Sequence, residues 1–245
     1  MANIKVVLEY DGTNFFGFQR QPARPTIQGE LERALAQIFR GEHVKVIGAG
    51  RTDAGVHALG QVINFHAPRP FPVEQICSAL NGNLPPTIRA KSAEEVLPSF
   101  HARYSALART YVYVILNRQV PSAFLARYAW RLAGRLDVEA MRTAGETLLG
   151  THDFASFGLP DRPGGPTVRH IYDFRIAWKK DGLFIKIRAN AFLRGMARAI
   201  VGTLAQVGQG KRKPEEMMGI LDSRDRRVAG VSAPPQGLFL TRVDY

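Results

Sequence analysis

Residues 49–62, AGRTDAGVHALGQV, gather an arginine, a carboxylate and a histidine among glycine and alanine spacers, then run into apolar alternation. Arg51 and Asp53 are two apart. In extended backbone such residues share a face, so both can address the same space. An arginine beside a carboxylate favours the ionised form. An acid so held stays charged when a ligand displaces water, and an ionised, desolvated carboxylate serves as a nucleophile or a general base. Gly50 and Gly55 would admit the close approach of a ligand's backbone. A plainer reading fits the same residues: Asp53 caps a turn through its own backbone and Arg51 makes a surface ion pair. Pattern alone leaves both open.

No other chemistry competes in the pattern. There is no GxGxxG after a strand, no GxxxxGK[ST] and no GxSxG. The histidines are scattered without a cysteine cluster or HExxH, so no metal site is expected. The single cysteine, Cys77, lies in an apolar helical pattern and is expected in the core; one cysteine forms no internal disulfide, which suits a reducing compartment. No run approaches the ~20 apolar residues of a membrane span, and MANIKVVLEY lacks the long apolar run of a signal peptide. A cytoplasmic protein is expected. Thirty-three cations against 21 acids give a net charge of +12, and 25 of the cations are arginine. Arginine's planar fork suits phosphate and stacked bases, so one reading is a nucleic-acid surface. The other is a basic proteome or a thermophile's arginine habit.

The elements that must carry Asp53 follow from periodicity. Residues 4–10 alternate as a strand. Thr26 caps a helix whose Ile27, Leu31, Leu35 and Ile38 share a face. Short strands follow at 44–49 and 60–66, then a helix over 72–82 opened by Pro72 and a strand from 87 to 96. The second half repeats the order. A strand covers 110–117, and a helix covers 137–150, capped by Asp137 and ended by Gly150. Two strands flank a Lys180-Asp181-Gly182 turn. A helix over 192–208, a short extra one and a final strand over 237–245 complete the chain. Each half reads β-α-β-β-α-β, the ferredoxin-like order. The predicted fold is therefore α+β: two similar halves, 1–103 and 104–245, with sheets joined and a catalytic cleft between them. Loops 11–25 and 151–167 exceed the usual length and mix aromatics with arginine. That mixture suits bases and phosphates, and equally an ordinary packed surface loop.

The residues 50–62, GRTDAGVHALGQV, resemble the signature of the tRNA pseudouridine synthase A family, and the likeness runs through the chain in order. EYDGTNFFGFQRQP, FHARYSALARTYVYVI, GTHDFASF followed by RHI, NAFLRGMARAIVGTL and APPQGLFLTRVDY resemble successive family segments. The resemblance implies an isomerase that converts uridine to pseudouridine at positions 38, 39 and 40 of the tRNA anticodon arm, without a cofactor, as a cytoplasmic homodimer. It implies that Asp53 is the catalytic aspartate and that Arg51 is the arginine before it. By the same resemblance Tyr111 packs against the target base, and Arg198 is the basic partner of the aspartate. Ala199 departs from the asparagine common after that arginine. The aspartate could attack the anomeric carbon, add to the uracil ring or remove a sugar proton to give a glycal. Two rivals share parts of the pattern. One is a non-catalytic RNA-binding protein, which would leave Arg51 and Asp53 idle. The other is a glycosidase or nucleosidase with paired carboxylates, for which Glu42, at the end of a helix, is the nearest upstream acid.

Overall fold

Burial alternates along Asn3–Tyr10 (β1), the first strand of a computed structural model that describes residues 1–180 and 182–245. Ile4, Val6, Leu8 and Tyr10 are buried, while Lys5, Val7 and Glu9 take the other face. The described residues form two units, Met1–Leu107 with Phe239–Tyr245, and Ala108–Leu238.

In the first unit β1 is followed by α1 (Ile27–Ile38), β2 (Ile47–Gly48), β3 (His57–His66), α2 (Val73–Asn83) and β4 (Ile88–Val96). β1 lies antiparallel between β3 and β4, with Lys5 opposite Asn64 on one side and Glu94 on the other. The strand expected over 44–49 shrinks to the two residues of β2, paired with β3 at Ile63 and Asn64. Thr26 caps α1, its Oγ1 accepting from the Gly29 amide at 3.2 Å. Ile27, Leu31 and Leu35 are buried as expected, but Ile38 is only partly so, because Phe39, one residue past the helix, fills the core there. α2 buries Ile76 and Leu80. Cys77 sits beside that seam and is partly exposed, not a core residue, because the i, i+4 pair already occupies the inward line.

The second unit runs β5 (Ala108–Asn117), β6 (Trp130–Leu132), α3 (Val138–Glu146), β7 (Gly150–Asp153), β8 (Val168–Lys179), β9 (Gly182–Ala189), α4 (Met196–Gly208) and α5 (Glu216–Ser223). Its strand order is β5-β9-β8-β7, with β6 parallel beside β5. Asp137 caps α3 by accepting from the Ala140 amide at 2.9 Å. α3 ends earlier than its periodicity suggests. Beyond it, amides of Leu148 and Leu149 donate to Gly145 and Glu146, each at 3.1 Å, tightening the last turn to i→i+3 bonds. Gly150 then opens β7, a strand that the sequence pattern does not announce. α4 starts four residues later than expected because Gly195 (φ +77°) turns the chain just before Met196. β8 and β9 form the expected antiparallel pair; Asp181 of the expected turn lies outside the described residues. The chain ends in β10 (Leu238–Asp244), which pairs parallel with β3 through Phe239 opposite His57 and Leu240 opposite Ala58.

Candidate active site

Asp53 sits in the connection between β2 and β3. Its neighbour Thr52 is buried, whereas Arg51 is exposed and Asp53 half-buried. Thr52 therefore turns inward and Arg51 and Asp53 turn outward, the shared face expected of residues two apart. Side chains from β1 and β3 fix the loop from below. Tyr10 and Thr52 share a hydrogen bond of 2.8 Å between their hydroxyls. Gln61 Nε2 donates to the Gly50 carbonyl at 2.9 Å and to the Tyr10 hydroxyl at 3.3 Å. Either hydroxyl can donate in the bond between Tyr10 and Thr52. Burial pushes the Tyr10 hydroxyl up to about 12, against a smaller opposing pull from Thr52 and Gln61, so it stays protonated across the neutral range. The loop is thus pinned at Gly50 and at Thr52, on both sides of Arg51.

Asp53 also heads a turn: its carbonyl accepts from the Val56 amide at 3.1 Å. That bond uses the backbone, which any residue supplies, and does not account for the carboxylate.

A second segment closes over the first. The Phe18 amide donates to the Thr52 carbonyl at 3.0 Å, and the Gly55 amide to the Phe15 carbonyl at 3.3 Å. The approach is close enough to require glycine: a Cβ on Gly12 would stand 2.0 Å from the Val56 carbonyl oxygen. The Gly12 amide donates to Nδ1 of buried His57 at 3.0 Å, and Asp11 Oδ1 lies 3.2 Å from the same nitrogen. The His57 ring stacks on Phe239 at 4.8 Å between centroids. Asp11 Oδ1 also takes the Thr13 amide (2.9 Å) and hydroxyl (2.6 Å). Asp11 is the acid that sequence spacing overlooked, and it works in the loop's own turn. Asp11, Tyr10, Thr52, His57 and Gln61 all escaped the sequence reading as site residues. Their advance signal was position inside EYDGTNFFGFQRQP and GRTDAGVHALGQV, since long-range partners leave no spacing of their own.

Tyr111 and Arg198 belong to the second unit. Tyr111 is buried on β5, its ring edge-on to Phe192 at 4.8 Å. Arg198 is half-buried in the first turn of α4. Its Nε donates to the Ala233 carbonyl at 2.7 Å, and the Ala233 amide donates to the Arg198 carbonyl at 2.9 Å. A cation in the first turn opposes the helix dipole. A residue that breaks a local rule while being held in place is a functional candidate. The Arg198 charge reaches Tyr113, whose hydroxyl is pushed well above its ordinary value by burial, with Arg198 pulling the other way. Ala199 is buried and its carbonyl accepts from Thr203. Among the described residues no group of three or more His, Cys, Asp or Glu could hold a metal ion, and no helix is long and apolar enough to cross a membrane.

A family model described as tRNA pseudouridine synthase matches residues 6–105 and 144–245. A tRNA pseudouridine synthase A of Thermoanaerobacter sp. (strain X514) is 45% identical over 245 residues, covering 100% of both chains. One from Geobacillus sp. (strain WCH70) is 46% identical over 242 residues, 99% of this chain and 98% of its own. Among solved structures, a Cbf5-Nop10-Gar1 complex is similar over 96% of this chain and 57% of that chain, at 12% identity and a TM-score of 0.36.

Proposed function

This chain belongs to the tRNA pseudouridine synthase family and is an isomerase, and we propose that it isomerises uridines 38, 39 and 40 of the tRNA anticodon arm with Asp53 as the catalytic group. It acts as a homodimer in the cytoplasm and needs no cofactor. The observation that carries the reading is the Asp53 loop: a half-buried carboxylate and an exposed arginine flank a residue clamped from beneath by Tyr10. A turn residue alone would not require that clamp.

The reaction breaks the glycosidic bond between the sugar's anomeric carbon and N1 of uracil. The ring turns over, C5 bonds to the same carbon, and the C5 hydrogen leaves as a proton while N1 gains one. Atoms and electrons balance without an external group. Asp53 supplies the nucleophile or base. The target uridine must first leave its stack, at a cost of a few kcal/mol. Tyr111 contacts the extruded base, a contact worth about 1–3 kcal/mol, and Arg198 pairs with the aspartate's charge. Arg51 and the other arginines engage phosphates, and the tRNA is recognised mainly by shape.

Release of tritium from tRNA labelled at uridine C5 tests this, because only formation of the new carbon bond displaces that hydrogen. Asp53→Asn keeps the shape but removes the nucleophile and base. The expected result is loss of release with fold and tRNA affinity retained. Near-parental release by a preparation free of the host's own enzyme would refute the role of Asp53. Free uracil as product would point to a glycosidase. Pseudouridine found only in another arm of the tRNA would refute the site assignment.

A further inference from the structure

Between β4 and β5 the first unit exposes an aromatic side chain that the reaction above does not use. Tyr104 is 77% exposed. Its ring nevertheless has a fixed backing: it stacks on His101 at 4.3 Å with 29° between the planes. The Arg103 guanidinium lies 5.7 Å from the Tyr104 ring centroid. His101 is itself held. Its Nδ1 accepts from the amides of Arg103 (3.2 Å) and Tyr104 (3.3 Å), and its own amide donates to Ser105 Oγ at 3.1 Å. Folding gains little from a ring left in water. A ring that is both solvated and immobilised has already lost the freedom that ligand binding would otherwise cost it.

We propose that His101, Arg103 and Tyr104 form a stacking platform for an unpaired nucleobase of the RNA substrate, a subsite separate from the pocket of the reacting uridine. The proposal rests on the reading that the substrate is tRNA. The chemistry matches the ligand: a solvated ring with a guanidinium over it accepts any base, and the cation answers the adjoining phosphate. The location matches as well. Ala102 packs in one buried cluster with Ala49 and Val62. Its amide donates to Asn64 Oδ1 at 2.9 Å, and its carbonyl accepts from the Tyr245 hydroxyl at 2.8 Å. Ala49 lies two residues before Arg51, and Ala102 two residues before Tyr104. Two extended residues span at most about 7 Å. The platform and the Asp53 loop therefore spring from the same anchored patch, so an RNA strand presenting a uridine to Asp53 has neighbouring bases to lay on Tyr104.

The test compares Tyr104→Ala with Tyr104→Phe in the full chain, by steady-state kinetics on a tRNA transcript. A second readout uses an anticodon-arm hairpin carrying 2-aminopurine at single loop positions, whose fluorescence falls when the base stacks. Loss of one base stack corresponds to roughly 5- to 150-fold in affinity. Tyr104→Ala is expected to raise KM within that range while kcat falls far less, with the melting temperature near the parent's. Tyr104→Phe keeps the ring and most of the binding. At one loop position the parent and the Phe variant quench 2-aminopurine, and the Ala variant does not. An Ala variant with the parent's KM and quenching would overturn the platform, as would a Phe variant as impaired as Ala. The quenching measured in an Asp53→Asn background separates the two readings. If that variant still turns over, the catalytic assignment fails while the platform stands or falls on its own signal. If the parent chain binds no tRNA, both fail together.

Discussion

The Asp53 loop and the α4 region each hold candidate site residues, but by different means. The loop is fixed by hydrogen bonds from Tyr10 and Gln61, and by a backbone approach that only Gly12 permits. α4 is fixed by burial: all but two of its thirteen residues are buried, so it behaves as a core helix on every side. Hydrogen-bond networks are directional, and a small displacement leaves a buried polar group unpaired. Apolar packing has no preferred direction. Damage to the loop should therefore register in turnover before stability, and damage to α4 in stability before turnover.

A glycine pair probes the difference most strongly. A Cβ on Gly12 would stand 2.0 Å from the Val56 carbonyl oxygen, and one on Gly202, within α4, 1.8 Å from that of Val231. Gly12→Ala pushes on the turn headed by Asp53. Since misplacement by about 1 Å can cost a hundredfold, kcat should fall by about that factor. Gly202→Ala is an overpacking change of about 1–3 kcal/mol, or several degrees of melting temperature, with kcat less affected. Tritium release and calorimetry on both variants decide. Equal losses of turnover at equal melting temperature would erase the distinction.

Two buried tyrosines give a smaller effect. Tyr10 bonds to the loop through Thr52, whereas Tyr113 donates to the Pro234 carbonyl at 2.7 Å. Tyr10→Phe and Tyr113→Phe should each destabilise by about 1–3 kcal/mol, but only the first should lower kcat. Both hydroxyls are raised by burial, Tyr10 to about 12. A tyrosine that ionises near pH ~10 when unfolded stabilises the fold fully below that pH. The contribution is then lost as pH rises towards the folded value. For Tyr10 the span is worth about 3 kcal/mol. Denaturant titrations between pH ~10 and ~12 should show a shallower fall in Tyr10→Phe. A slope identical to the parent's would contradict the burial of that hydroxyl.

Helix caps give the smallest contrast. Thr26→Ala and Asp137→Ala should each cost about 1 kcal/mol. The first amides of α1, Ile27 and Gln28, donate to the carbonyls of Gly17 and Phe18 in the segment covering the Asp53 loop, at 3.2 and 2.8 Å. Thr26→Ala should therefore also lower turnover, by about twofold, and Asp137→Ala should not. Loss of turnover in both would show that the coupling is not local to α1.

Much of the fold was legible because its signals are local. The alternation of β1, the Thr26 and Asp137 caps and the paired β8 and β9 each depend on residues near in sequence. Where competition from elsewhere entered, the pattern misled. Phe39 displaced Ile38 from the core, Ile76 and Leu80 left Cys77 at the edge, and Gly195 delayed α4. The strand expected over 44–49 contracted to Ile47–Gly48. β3 instead runs from His57, its far edge shared by β2 and β10.

The sequence by itself placed Arg51 and Asp53 two apart, a spacing that puts both on one face wherever the chain is extended. It also determined the chain-long likeness that identifies the family. Only the tertiary structure decided what holds that pair. Gln61 reaches Gly50, Tyr10 reaches Thr52 across 42 positions, and Gly12 lies under Val56. Gln61 meets Gly50, 11 positions away, where β2 pairs with β3, whereas the Tyr10 bond and the Gly12 approach exist only once β1 and β3 lie side by side. A short local pattern can specify which groups do chemistry. Their placement depends on contacts that close large loops, and no local spacing encodes those.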